Sequence, residues 1–375
     1  MLDNSFELRF NMKKRILVVV GTRPNFIKIT QFRRVAEKYS DELELRILHT
    51  GQHYDAKMSD VFFQQFEIEP DIYGNLKAKT PAAQMGEIMI TLESICNEFK
   101  PDLIMVPGDV NSTLSTAITA NKMGIPLAHI ESGLRSLDRE MPEEINRILT
   151  DEISDILLVT EQSGLDNLKA EGKPDGKVAF VGNTMIDTIV AFTPKIDACS
   201  ILDDLKLSPK GFILMTMHRP SNVDHEEGLK KLITLITELG KSFKVVFPIH
   251  PRTLNKAKGF GLHDQLVNLP NLIISEPMDY FSFQKLVKES FTVITDSGGI
   301  QEETTFYQVP CLTVRENTER PSTITLGTNE LMPFDTPEIL GKIEEMKAGK
   351  FKKGVVPPLW DGKATERIFE FILKK

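Results

Sequence analysis

Apolar, β-branched runs recur along most of the chain, each followed by a stretch with helical spacing. In the first half they are RILVVV (15–20), LELRILH (43–49), PDLIMVP (101–107), IPLAHI (125–130), DILLVT (155–160) and KVAFVG (177–182). Continuous hydrophobicity, as opposed to alternation, predicts strands buried on both faces, as in a parallel sheet covered by helices. Between the first two runs Phe32, Val35, Ala36 and Tyr39 fall at i, i+3, i+4 and i+7. That segment is expected to lay one apolar helical face on the sheet and complete a βαβ unit.

The rhythm breaks between Ala191 and Lys210, where Pro194, Pro209 and mixed polar residues intervene, and resumes with GFILMTM (211–217), FKVVFPI (243–249), NLIIS (271–275), FTVIT (291–295) and PCLTV (310–314). Residues 361–374 read as a last amphipathic helix, preceded by Pro357 and Pro358. The pattern predicts a loose extension over 1–12, an α/β domain over 13–192, a second over 193–355, and a C-terminal helical segment over 356–375 packing back toward the first domain. A length of 375 residues suits two such domains. Ligands bind outside the carboxyl ends of doubly wound sheets, so an active site in the cleft between the domains is expected.

Composition narrows the partners. With 41% hydrophobic and 26% charged residues the chain has the balance of a globular protein, and a formal charge of -8 argues against a nucleic-acid surface. Cys96, Cys199 and Cys311 are too few and too scattered for a disulfide framework or a thiolate metal site. No apolar run approaches the length of a spanning helix, so a cytoplasmic protein without membrane contact is expected.

Candidate chemistry gathers at predicted strand ends. Thr295-Asp-Ser-Gly-Gly-Ile-Gln-Glu-Glu303 follows a buried strand and opens a helix. There Ser297, Gly298 and Gly299 leave backbone N–H groups open to a phosphate, and Glu303, one turn on, is in reach of a ribose hydroxyl. Gly21-Thr-Arg-Pro-Asn-Phe-Ile-Lys28 carries Arg23 and Lys28 at the end of the first strand, cations suited to a diphosphate. Asp109, Glu131 and Glu143 sit in loops that converge on one rim, with Arg135 and Arg147 nearby, and His218 ends the first strand of the second series. Each feature alone also suits a turn, a helix cap or a surface salt bridge; Glu143 or Glu144 after Pro142 is such a case. His49, His53, His129 and His250 also end strands, but no spacing among them marks a metal site, so no metal is expected.

As a set, GTRPNFIK, HTGQHYD, PGDVNST, HIESGLRS, MPEEINR, TMHRPSNVD, DSGGIQEE and ENTERP closely resemble the non-hydrolysing UDP-N-acetylglucosamine 2-epimerase family, in its order and approximate spacing from Arg15 onward. The resemblance implies a GT-B-like α/β fold of two doubly wound parallel-sheet domains with an interdomain active-site cleft. It implies a homodimer with no cofactor, making a precursor of cell-surface polysaccharide. Acids would come from the first domain and UDP would be held mainly by the second. At matching positions Asp109, Glu131, Glu143 and His218 would be catalytic. Ser297, Gly298 and Gly299 would hold phosphate, Glu303 the ribose and Phe283 the uracil through its backbone. Arg23, Lys28, Gln52 and Arg320, with His218, would line the phosphate and sugar region, and Arg135 is a further candidate substrate ligand. The implied reaction is anti elimination of UDP to 2-acetamidoglucal, then re-addition of UDP with reprotonation on the opposite face.

Three departures bear on the sugar. Asn25 stands where well-known members have Glu, Pro220 and Ser221 replace an Arg-Glu pair, and the His and Thr that usually flank Asp109 are missing. Some relatives act on a UDP-linked 2,3-diacetamido uronic acid, whose carboxylate needs an extra cation such as Arg135 or Arg147. A hydrolysing 2-epimerase and a GT-B glycosyltransferase are the other readings, separated by release of free N-acetylmannosamine and by the need for an acceptor.

Overall fold

The computed structural model describes residues 13–52 and 63–375. The expected extension over 1–12 and the strand-end His53 lie outside the described residues. The chain forms two compact units, one running up to Ala191 and joined by Pro358–Lys375, the other Phe192–Pro357. The division falls within the Thr184–Asp197 helix.

In the first unit seven strands, β1 (Lys14–Val20), β2 (Leu43–His49), β3 (Ile72–Tyr73), β4 (Leu103–Pro107), β5 (Leu127–Ser132), β6 (Ile156–Val159) and β7 (Val178–Phe180), form one sheet in the order β3-β2-β1-β4-β5-β6-β7. All six pairings are parallel. Leu17 and Val19 of β1 pack with Leu92, Cys96 and Phe99 of the Pro81–Phe99 helix, while Ile16 and Val18, which alternate with them, are equally buried. Both faces are therefore covered, which is why these strands read as unbroken apolar runs. The Ala364–Leu373 helix belongs to this unit. Asp187 accepts from the backbone N–H groups of Ala364 and Thr365 at its first turn, and Phe369 meets Phe32 edge-on.

In the second unit β8 (Phe212–Thr216), β9 (Lys244–Pro248), β10 (Leu272–Ser275), β11 (Thr292–Thr295), β12 (Cys311–Val314) and β13 (Asn329–Met332) form a parallel sheet in the order β10-β9-β8-β11-β12-β13. Leu232, Leu235 and Ile236 of the Glu226–Leu239 helix pack on one face, and Leu286 and Val287 of the Tyr280–Glu289 helix on the other.

Both sheets are doubly wound, as the GT-B-like expectation requires. Winding reverses between β1 and β4 in one sheet and between β8 and β11 in the other, and the crevice outside the strand ends at such a point is where ligands bind. The short edge strands β3 and β13 fall outside the apolar runs. One has two residues, and the other reads Asn-Glu-Leu-Met, which opens with two poor strand formers and joins because β12 offers a free ladder edge.

Candidate active site

In the first unit the loops after β1, β4 and β5 bring three of the expected groups together. The Arg23–Ile27 helix opens with a capping box in which Asn25 accepts from the N–H groups of Gly21 and Thr22. The Asn25 amide also donates to the Pro107 carbonyl at 3.1 Å, tying the β1 loop to the end of β4. A glutamate here has no N–H for that bond. Just beyond this helix the Lys28 ammonium makes an ion pair with Glu131, both side chains less than a tenth exposed. Gly108 lies against this pair at φ 68°; a Cβ there would stand 3.0 Å from Lys28 Nζ and 3.6 Å from Glu131 Oε2. Glycine takes this φ without strain and leaves the Lys28 ammonium its place. Glu131 itself has φ 73°, where the β5–β6 register shifts between Ile130 and Ser132. A non-glycine residue held there stores about 1–3 kcal/mol, a strain common at functional sites.

Asp109, half-buried, pairs with Arg147, and the Asn146 amide donates to its carbonyl at 2.9 Å. The other arm of Arg147 holds Glu144, whose carboxylate also accepts from the N–H groups of Ser136 and Leu137. Glu144 thus anchors the loop before its helix, whereas Glu143, one residue earlier, is exposed. Gln52 accepts from the N–H and hydroxyl of Ser112 at 2.8 and 2.7 Å, at the start of the Asn111–Met123 helix. Arg23 is half-buried at the first position of its helix. Arg135 is not brought to this group. Its fork grips Glu171 with two bonds, and Nη1 donates to Asp151 and to the Leu134 carbonyl.

In the second unit His218 follows β8 and Ser297 follows β11 across the switch point. His218 is about a third exposed, with Nδ1 3.2 Å from a fully buried Asp296. Its ring stacks on His250 at 5.1 Å. Ser297, Gly298 and Gly299 start the Gly298–Tyr307 helix and remain half-exposed. A Cβ on Gly298 would stand 2.8 Å from both Arg320 Nη1 and Glu319 Oε1, so glycine is what lets Arg320 lie against the helix start. Arg320 is held there by Glu302 at 2.9 Å and by Glu319. Glu303 is buried deeper in the same helix. Burial, reinforced by Glu302 and only partly offset by Gln284, pushes its pKa up to about 8. Phe283 packs in the core of this unit and donates its backbone N–H to the Asp279 carbonyl.

This geometry has close counterparts. Residues 36–373 match the UDP-N-acetylglucosamine 2-epimerase family. A UDP-N-acetylglucosamine 2-epimerase of Methanocaldococcus jannaschii is 37% identical over 96% of this chain and 98% of its own. The chain belongs to the UDP-N-acetylglucosamine 2-epimerase family. The structure of the M. jannaschii UDP-GlcNAc 2-epimerase in complex with UDP-GlcNAc and UDP superposes with a TM-score of 0.87 over 96% of this chain and all of that one. A UDP-2,3-diacetamido-2,3-dideoxy-D-glucuronate 2-epimerase of Pseudomonas aeruginosa is 35% identical over 96% of this chain and 99% of its own.

Against this family background, two groups in the structure were not singled out from sequence. The Asp296 carboxylate accepts from the N–H groups of His218 and Arg219 and from the Asn222 amide, so it shapes the whole His218 turn. Its signal was an acid directly before Ser-Gly-Gly. Asp151 binds His129, Arg135 and the Gly133 N–H. Glu144, Arg147 and Asp151 recur at i, i+3 and i+7 of one helix, a charged stripe that turns inward.

Proposed function

We propose that this protein interconverts UDP-N-acetylglucosamine and UDP-N-acetylmannosamine by anti elimination of UDP and re-addition to 2-acetamidoglucal. The observation that carries the reading is the end-to-end match to an epimerase whose structure holds UDP-GlcNAc and UDP. The local chemistry agrees with it. Helix N–H groups at Ser297–Gly299 and the Arg320 fork suit a departing diphosphate, and Glu303 suits the ribose. Asp109, Glu131 and Glu143 move the carbon-2 proton and stabilise positive character at the anomeric carbon. His218, oriented by Asp296, donates to phosphate or carries a proton. Phe283 contributes its backbone to the uracil, and Arg23, Lys28 and Gln52 belong to the phosphate and sugar region.

A uronic-acid substrate needs an additional cation. Of the two candidates, Arg135 is held away from the strand-end acids by Glu171 and Asp151, which favours the N-acetylglucosamine nucleotide, while Arg147 holds Asp109 and Glu144. Among the described residues no helix is long and apolar enough to cross a membrane, and Cys96, Cys199 and Cys311 are free thiols. Free thiols support a reducing, cytoplasmic setting. The homodimer is part of the proposal on the family resemblance.

The test is proton NMR of the purified protein with UDP-GlcNAc in heavy water, without added metal, nicotinamide or acceptor. UDP-ManNAc carrying deuterium at carbon 2 is the expected product. Free UDP with N-acetylmannosamine would replace the proposal with the hydrolysing reaction, and an unchanged spectrum would overturn it in favour of a uronic-acid substrate or an acceptor.

A further inference from the structure

Beneath the strand-end acids lies a group that no step above uses. His129 of β5 is fully buried, with Nδ1 2.6 Å from Asp151 Oδ1 and Nε2 2.7 Å from the Gly108 carbonyl. A carbonyl only accepts, so Nε2 donates. The second oxygen of Asp151 accepts from the Gly133 N–H at 2.9 Å and from Arg135 Nη1 at 2.7 Å. Burial by itself would raise the Asp151 pKa, but His129, Arg135 and the Gly133 N–H together hold it below the usual carboxylate range. An ionised carboxylate also only accepts, so Nδ1 donates as well. A neutral imidazole has one N–H, and a ring that donates from both nitrogens is an imidazolium.

The two clamped peptides bracket both acids. The Gly108 carbonyl belongs to the Gly108–Asp109 peptide, and the Gly108 N–H donates to the Ile130 carbonyl at 3.0 Å. β5 therefore sets, from both ends of Gly108, the direction in which Asp109 leaves β4. On the other side Asp151 holds the Gly133 N–H two residues beyond Glu131, the residue at φ 73°. We infer that His129 is a positioning residue for the epimerisation: a buried double donor that ties the Asp109 loop to the Glu131 loop and holds their carboxylates at one spacing. The inference rests on the reading of those two acids as reacting groups.

Asp151 faces the ring from the Pro142–Ile153 helix, and Arg135, carrying Glu171, reaches it through Asp151. Lys28 and Glu131 lie against the Cβ position of Gly108. A neutral ring would turn a lone pair toward either the Gly108 carbonyl or the Asp151 carboxylate, and one clamp would open.

The test uses the full-length protein and its His129→Gln variant, whose single amide cannot reproduce the ring's two opposed donors. The variant is expected to keep its circular dichroism, its UDP affinity and its KM, while kcat falls about 10- to 100-fold, the effect of displacing reacting groups by about 1 Å. Side-chain 15N spectra of histidine-labelled wild-type protein at neutral pH, with His129 assigned through its own backbone, are expected to show two N–H groups. A folded variant with unchanged kcat overturns the inference, as does a wild-type His129 with one N–H at neutral pH. Should the variant fail to fold, the wild-type spectrum decides. Absence of wild-type turnover would count against the proposed function, while the same spectrum would still decide the state of His129.

Discussion

Glu303→Gln is expected to make the protein more stable and less able to bind UDP. Glu303 sits on the Gly298–Tyr307 helix, its Oε2 without a hydrogen-bond partner, with a pKa raised by burial from 4.5 to about 8. In the unfolded chain it releases its proton near the ordinary value, so the folded state holds a proton that the unfolded state does not. Stability from this group is complete below about pH 4.5 and is lost as pH rises through 8. At about 1.4 kcal/mol per pH unit the whole loss is about 5 kcal/mol, of which about 3 kcal/mol is already gone at pH 7. A glutamine of the same shape does not titrate. The stability difference in its favour should grow from near zero at about pH 4.5 to about 3 kcal/mol at pH 7, while affinity for UDP falls if Glu303 holds the ribose. The only tryptophan, Trp360, belongs to the first unit, where its indole N–H donates to the Thr160 carbonyl, so its fluorescence is the wrong probe for this titration. Calorimetry and far-UV circular dichroism across that pH range are the measurements. Parallel pH profiles for the two proteins would refute the reasoning, because a carboxyl that ionises normally in the folded state creates no such difference.

Single replacement of Asp109 by Asn, or of Glu131 or Glu143 by Gln, should lower turnover about 10²- to 10⁴-fold with UDP binding largely intact, measured by NMR turnover and calorimetric titration. Undiminished turnover in all three would remove them from the chemistry. Lys28→Met leaves Glu131 as a buried carboxylate without its ion-pair partner and should destabilise the first unit by about 3–5 kcal/mol, read by Trp360 fluorescence during urea unfolding. Gly298→Ala puts a methyl group into the space of the Arg320 and Glu319 side-chain ends and should weaken UDP binding about tenfold or more, measured by titration calorimetry; unchanged affinity would show that the placement of Arg320 against the helix start does not set UDP binding.

The sequence by itself determined the central strands of both sheets and the kind of chemistry at their ends. A strand buried on both faces must be apolar throughout, and a helix that opens beside an anion needs small residues, so both demands leave local marks such as RILVVV and Asp-Ser-Gly-Gly. The edge strands Ile72–Tyr73 and Asn329–Met332 left no such mark, because one is too short and the other is made of residues that pair only when a neighbour presents its edge. Among the polar residues, tertiary structure alone decided which partner each would meet. Glu143 and Glu144 are adjacent acids after Pro142, yet one is exposed and the other is buried on Arg147. Arg135, a plausible ligand by its place in the chain, turned toward Asp151 and Glu171, and His129 found Asp151 and Gly108. Hydrophobicity is a property of each residue and can be read one position at a time. An ion pair or a two-sided hydrogen bond is a property of two distant positions, and only the folded chain brings them within 3 Å.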